Sequence, residues 1–301
     1  MRIFQVDAFT PTRFAGNPAT VVLDADGQSD ATLLAVAREF PHAEVAFTFA
    51  ANAPDHDVRL RFFNARKESP FVGHATVAAH AVLLALERRS AGVSRQHSGT
   101  GIIEVTARIE QADAGTQTLV EFRQPVPELD SPLPFKTTLR VAEALRLPAT
   151  HLHEIMPARI ARKGSTRLLV PIADPRHLDA LAPNPDTLLA LGTELGTDGF
   201  FVFAVNRNAD ELSTDSRMFC PALGIPEDPV SGNAHGLLGA YLAELRLLNP
   251  TDERAHFSGI QGHYVNRPGR VEVDLEFSGD KLDAVWIRGQ AVEIFQTQMT
   301  L

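Results

Sequence analysis

Apolar and polar positions alternate over residues 2–9, and a period of two predicts a strand there. A turn over Phe14-Ala-Gly-Asn-Pro-Ala19 follows, and 20–23 reads as a second strand. With Ser29 as N-cap, Leu33, Leu34, Val36, Ala37 and Phe40 line one side of a short helix that Pro41 stops. Residues 46–50 and 58–63 read as paired strands across a polar turn at 52–57. A run of small and aliphatic residues without proline predicts a buried helix over 74–88. Strands near 102–109 and 118–123, joined by a turn at Gly115, close the first half. Residues 124–135 read as a linker. The order then recurs: a helix near 138–146, strands near 152–162 and 167–171, and a helix around 185–192. A buried strand at 199–204, an apolar step at Met218-Phe219, a helix at 233–246 and strands near 271–277 and 284–295 complete it.

The recurrence extends to identities. Residues 68–86 read ESPFVGHATVAAHAVLLAL and residues 227–245 read EDPVSGNAHGLLGAYLAEL. A constant offset of 159 pairs Glu68 with Glu227, Pro70 with Pro229, Gly73 with Gly232 and Ala75 with Ala234. Ala81, Leu83 and Leu86 then fall on Ala240, Leu242 and Leu245. In each copy a Pro/Gly turn leads into a helix, whose N-terminus offers unpaired N–H groups and the positive end of the dipole, a setting for an anion. The fold class expected is α+β: two pseudo-symmetric lobes, each a curled mixed or antiparallel sheet around one central helix. The first lobe covers 1–125, with the strand at 284–301 packing back on it, and the second covers 126–283. The two turns are expected to face each other across a carboxylate-binding cleft.

Composition narrows the class. A hydrophobic content of 44% with 22% charged residues is that of an ordinary globular protein. A net charge of −9, without a Lys/Arg cluster, argues against a nucleic-acid partner. A single cysteine, Cys220, excludes an internal disulfide and points to a reducing cytoplasm. No basic, apolar leader pattern opens the chain and no apolar run approaches a membrane span, so neither a signal peptide nor a membrane partner is expected.

Glu44 lies in Pro41-His-Ala-Glu-Val-Ala46, between a helix stop and a strand, with apolar neighbours that would raise its pKa and suit it to take and return a proton. A solvated loop glutamate is the plainer reading of that segment. His74 and Asn233 are equivalent in the repeat, each following a turn glycine at a helix start, where the dipole would lower an imidazole pKa. Either could instead be an N-cap. Asp228, before Pro229, should be extended and could orient a substrate amine or hydroxyl, or serve as a helix-capping acid. Gly73, Ser231 and Gly232 would supply N–H groups, and Ser231 a hydroxyl, to a carboxylate. His74 and His80 are six apart, and His42 and His235 lack partners at metal spacing, so no metal is expected. Ser231 is not in a nucleophile-elbow motif, and no phosphate-loop or dinucleotide pattern occurs, so no nucleotide cofactor is expected.

Taken with the first strand, Gly16-Asn17-Pro18, Gly73-His74, Glu227-Asp228-Pro229, Gln261-Gly and Arg267-Pro-Gly269, the chain resembles, end to end, the phenazine-biosynthesis PhzF-like family, within the diaminopimelate epimerase fold. The resemblance implies a cofactor-free acid–base isomerase, a homodimer, with its active site between two lobes. It assigns Glu44 as the proton-moving glutamate, His74 as the active-site histidine and Asp228 as the active-site aspartate. The family's serine is replaced here by Asn233. Diaminopimelate epimerase has a cysteine one residue before each turn glycine; Val72 and Ser231 stand there in this chain, which argues against a two-thiol racemase.

The expectation is an isomerase in which Glu44 moves a proton within a small, cyclic or unsaturated carboxylate. Two alternatives stay open: a dimeric small-ligand-binding protein without turnover, and an epimerase.

Overall fold

The computed structural model describes residues 1–41, 44–112, 115–207 and 211–300. His42 and the tip of the predicted turn at Gly115 lie outside the described residues. By internal contacts the chain divides into two compact units, Met1–Arg123 with Arg288–Leu301, and Gln124–Ile287.

In the first unit, β1 (Arg2–Ala8) pairs antiparallel with β2 (Asn17–Leu23). The helix α1 (Asp30–Arg38) then carries the chain to β3 (Glu44–Ala50), parallel to β2. β4 (Val58–Phe63) returns antiparallel and also pairs with the two-residue β5 (Glu68–Ser69). After α2 (Gly73–Ala85), β6 (Gly92–Ser98) runs parallel to β4, and β7 (Gly101–Ala112) and β8 (Gly115–Gln124) follow as antiparallel neighbours. The expected cap on α1 is present: the Ser29 hydroxyl accepts from the Thr32 N–H at 3.2 Å. α1 packs Leu33, Val36 and Ala37 on Val45, Phe47 and Phe49, one face of β3. The opposite face turns to α2, where Ala46 lies with Ala75, Ala78, Ala79 and Val82. α2 is buried nearly all round, against β1, β2, β3 and β7. Its alanines keep the helix thin enough to sit within a wrapped sheet.

The second unit opens with β9 (Glu128–Leu129), so the expected linker carries a short strand, and with α3 (Phe135–Ala144). β10 (Arg159–Lys163) and β11 (Ser165–Pro171) form a hairpin. Beyond α4 (Pro185–Leu195), β12 (Gly199–Arg207) lies parallel to β11, and β13 (Leu212–Cys220) antiparallel to β12. β14 (Ile225–Asp228) folds back on β13 and leads into α5 (Gly232–Glu244). β15 (Arg254–Gln261) runs parallel to β13 and β16 (Gly269–Ser278) antiparallel to β15. From Arg288 onward, the last strand, β17 (Lys281–Gln298), belongs to the first unit, where it pairs with β1.

The connectivity of β1 to β7 around α2 is thus repeated by β10 to β16 around α5. Both central helices have 13 residues and both are followed, two positions on, by a left-handed residue, Glu87 (φ 55°) and Arg246 (φ 54°). The mixed, sheet-dominated α+β class matches expectation. Besides the short β5, β9 and β14, the strands β6 and β15 have no counterpart in the hydrophobic pattern. In β6 the residues that face inward are Ser94, Gln96 and Ser98, while Val93 is 65% exposed, so the usual alternation is inverted. In β15 Ser258, Gly259 and Gln261 are buried. The expected strand at 152–162 is shorter, 159–163: the chain bends over 154–156, where the Ile155 and Met156 N–H groups donate to His153 Nδ1 instead of to a neighbouring strand.

Candidate active site

Glu44 is the first residue of β3, not part of a loop. It stands opposite Ala19 of β2. Alternation from Ala46 puts it on the face that α2 covers, and its Oε2 is enclosed. Glu44 is therefore half-buried, with one carboxylate oxygen shut off from solvent.

Gly73 and His74 are the first two residues of α2. The preceding residue, Val72, has no side-chain polar group, so the N–H groups of the first turn receive no cap from it. A Cβ on Gly73 would come within 3.1 Å of the Phe122 ring. The His74 imidazole is held neutral, its pKa pushed down to about 4. Burial is the cause, where the sequence argument invoked the helix end; Nε2 is enclosed without a hydrogen-bond partner.

In the second unit Asp228 ends β14, extended and opposite Met218. Ser231 is the N-cap of α5: its hydroxyl accepts from the Ala234 N–H at 3.3 Å, and its own N–H donates to Gln261 Oε1 at 3.0 Å. Within this turn the donors left for an anion are therefore the N–H groups of Gly232 and Asn233 and the Ser231 O–H. Asn233 is tethered through Oδ1, which accepts from the Ser165 hydroxyl at the start of β11.

Four elements that the sequence argument passed over hold these turns. Gln261, 1% exposed, grips the second turn at both ends, since its Nε2 also donates to the Asp228 carbonyl at 2.6 Å. His235 donates through Nδ1 to the Ser231 carbonyl at 2.7 Å, and burial pushes its pKa down to about 4. Arg217 pairs with Glu227 and Arg61 with Glu68, which ties each signature turn to the strand before it. A glycine then abuts each signature proline: a Cβ on Gly99 would meet Pro70 Cα at 2.7 Å, and one on Gly262 the Pro229 carbonyl at 2.8 Å.

Cys220 is buried and its thiol is pushed up to about 12 by that burial, so it is no thiolate nucleophile. Among the described residues no group of three or more His, Cys, Asp or Glu side chains could hold a metal ion. No helix among them is long and apolar enough to cross a membrane.

Comparison with known proteins decides the family. Residues 6–297 match the family model of phenazine biosynthesis-like proteins, PhzC-PhzF. The chain belongs to the phenazine biosynthesis-like family. A curated relative, an uncharacterized isomerase YddE of Escherichia coli O157:H7, is 35% identical over 300 residues, covering 100% of this chain and 98% of its own. The trans-2,3-dihydro-3-hydroxyanthranilate isomerase of Pseudomonas aeruginosa is 28% identical over 289 residues, covering 96% and 95%. Among solved structures, a PhzF-family protein of Bacillus anthracis superposes with a TM-score of 0.86 at 24% identity, covering 100% of this chain and 99% of that one. That likeness speaks to the fold. The relatives are named isomerases, and an isomerase is the class of enzyme to which this member of the phenazine biosynthesis-like family belongs.

Proposed function

We propose that the protein is a cofactor-independent isomerase that moves a proton within a small carboxylate, with Glu44 as the acid–base group. The observation that carries this reading is Glu44 itself: a carboxylate on the α2 face of β3, with one oxygen enclosed. Glu44 takes a proton from a carbon acidified by neighbouring unsaturation, and the electron pair left behind delocalises across the double bond. The same carboxyl then returns the proton to a second carbon, the double bond shifts, and the carboxylate is restored. His74, neutral over the ordinary working range, positions the substrate as a hydrogen-bond partner, as does Asp228. In the first unit the Gly73 N–H, and in the second the Gly232 N–H with Asn233 and the Ser231 hydroxyl, are the groups suited to a carboxylate and to the charge that builds up on deprotonation. A cyclic, unsaturated carboxylate is the substrate class, as the name of the Pseudomonas relative implies for that enzyme. A cytoplasmic homodimer is the form proposed.

The test is incubation of candidate substrates in D₂O. Wild type should incorporate deuterium into the product carbon, and Glu44→Gln should lose about 10²–10⁴-fold in rate. Deuterium uptake that survives Glu44→Gln rules out the role given to it. Binding of a carboxylate by both forms, without product from either, would instead identify a non-catalytic binding protein.

A further inference from the structure

The two units differ in charge at two equivalent positions that face each other on neighbouring strands. Arg61 and Arg217 correspond, as do Phe63 and Phe219, because each arginine binds the repeat's glutamate and lies over the phenylalanine two residues on. Phe63 faces Val45 across the ladder and Phe219 faces Phe200, so Glu44 corresponds to Gly199. One strand further, Ala19 lies opposite Glu44 and Arg167 opposite Gly199. In the first unit a carboxylate projects beside an alanine. In the second a guanidinium projects beside a glycine. That glycine has no room to be otherwise, since a Cβ would come within 2.8 Å of Cys220 Sγ and 3.0 Å of the Phe219 carbonyl.

Arg167 is 8% exposed yet poorly paired. One nitrogen, Nη1, donates to the Thr166 carbonyl at 2.9 Å and lies a long 3.7 Å from Asp198, whose side chain is 52% exposed. Nε is enclosed with no hydrogen-bond partner. The other buried arginines of this unit are better served. Arg217 has a bidentate carboxylate and two carbonyls, and Arg159 has Glu244 and the Asp130 carbonyl. A buried cation with unused donors is costly unless a counter-ion arrives.

Its surroundings say where that counter-ion would sit. Ser165 precedes Arg167 by two residues on the same face of β11, and its hydroxyl bonds Asn233 in the first turn of α5. The face that carries Arg167 is therefore the one on which that turn rests. Gly199, opposite Arg167, abuts Cys220 Sγ, and Asp228 lies opposite Met218, two residues before that cysteine.

We propose that Arg167 is the cationic recognition residue of the α5 turn, binding a carboxylate of the substrate together with the Gly232 and Asn233 N–H groups. This rests on the reading of that turn as a carboxylate site. It also explains why the two units cannot exchange roles: the first presents a carboxylate where the second has Gly199, and the second a fixed positive charge where the first has Ala19.

The test compares carboxylates with their neutral carboxamides, using benzoate and benzamide, anthranilate and anthranilamide, and proline and prolinamide, by calorimetry on the full chain. Wild type should bind at least one acid about tenfold or more tightly than its amide. Arg167→Met should lose that preference while amide binding is unchanged, and Arg167→Lys should keep part of it. A merely structural role would weaken acid and amide alike. Equal acid affinity in wild type and Arg167→Met overturns the proposal, as does a wild type with no preference for any of the acids. Deuterium exchange by wild type but not by Glu44→Gln, alongside such a result, would leave the isomerase reading standing and remove only Arg167.

Discussion

Arg217 and Glu227 meet in a bidentate pair, Nε to Oε1 at 2.9 Å and Nη2 to Oε2 at 2.7 Å, with side chains only 10% and 12% exposed. Nη1 adds bonds to the Leu178 and Leu181 carbonyls, and Tyr264 and Phe219 lie against the guanidinium. Arg61 and Glu68 form the same fork in the other unit, at 2.8 and 2.6 Å, but are 22% and 42% exposed. One device thus anchors both signature turns, and its environment differs.

That difference sets the first prediction. Breaking a buried pair leaves a charge without its partner and costs about 3–5 kcal/mol, whereas an exposed pair is worth about 1 kcal/mol or less. Arg217→Met should therefore destabilise far more than Arg61→Met in urea unfolding. Equal losses would mean that burial does not govern the two forks.

Gly259 and His235 are fitted to one another. A Cβ on Gly259 would lie 1.9 Å from His235 Cδ2. Gly259→Ala should cost about 2–3 kcal/mol through overpacking, and the added change His235→Ala should recover much of it. A double variant less stable than Gly259→Ala alone would contradict the steric account.

The buried histidines make the fold sensitive to acid. Burial holds His80 and His235 near pKa 4, below the ordinary 6.5 of an unfolded chain. As pH falls from 6.5 towards 4 the unfolded chain takes up protons that the native state refuses, so stability drops. Each histidine contributes at most about 1.4 kcal/mol per pH unit. His80→Gln should reduce that slope by one proton, as measured by urea midpoints between pH 6.5 and 4.

His256 acts in the opposite direction. Its ring lies 2.9 Å from Asp274 and 3.0 Å from Glu272, and these hydrogen bonds raise its pKa to about 9. Its stabilisation is complete below pH 6.5 and disappears as pH rises through about 9. The side chain is 37% exposed, so solvent screening reduces the effect to about 1 kcal/mol. His256→Gln should flatten the stability profile over that window.

Gln261 is the clamp of the second turn, and Gln261→Leu should cost about 1–3 kcal/mol by stranding the Ser231 N–H and the Asp228 carbonyl. Carboxylate affinity at the turn should fall with it. Undiminished affinity in a folded variant would show that the turn holds its shape without this side chain.

Much of this architecture is written locally. The identities from Glu68 to Leu86 and Glu227 to Leu245 mark two helices of equal length, because buried small residues, a turn glycine and a proline act over neighbouring positions. The Ser29 cap and the strand at 58–63 depend on equally short-range rules. What escaped is what depends on distant partners. β6 is a strand whose polar side faces inward, where Gln96 meets His80 of α2, and the buried face of β15 breaks its apolar run with Gly259, which His235 of α5 abuts, and Gln261. The arginine forks lie three residues out of the constant offset, since the second copy has a longer connection between β13 and β14, so matching letters at 159 could not align them.

The sequence alone determined the duplication, the two glycine turns and the residue types able to move a proton or hold an anion, because each is a property of a few consecutive positions. Tertiary structure decided which of those groups are enclosed and which are already engaged. Ser231 was a donor on paper until Gln261, 30 residues away, accepted its N–H, and Glu44 was a loop residue until Ala19 paired it into β3. Burial and hydrogen-bond partnership are set by what the remainder of the chain brings alongside, and no window of neighbours contains that information.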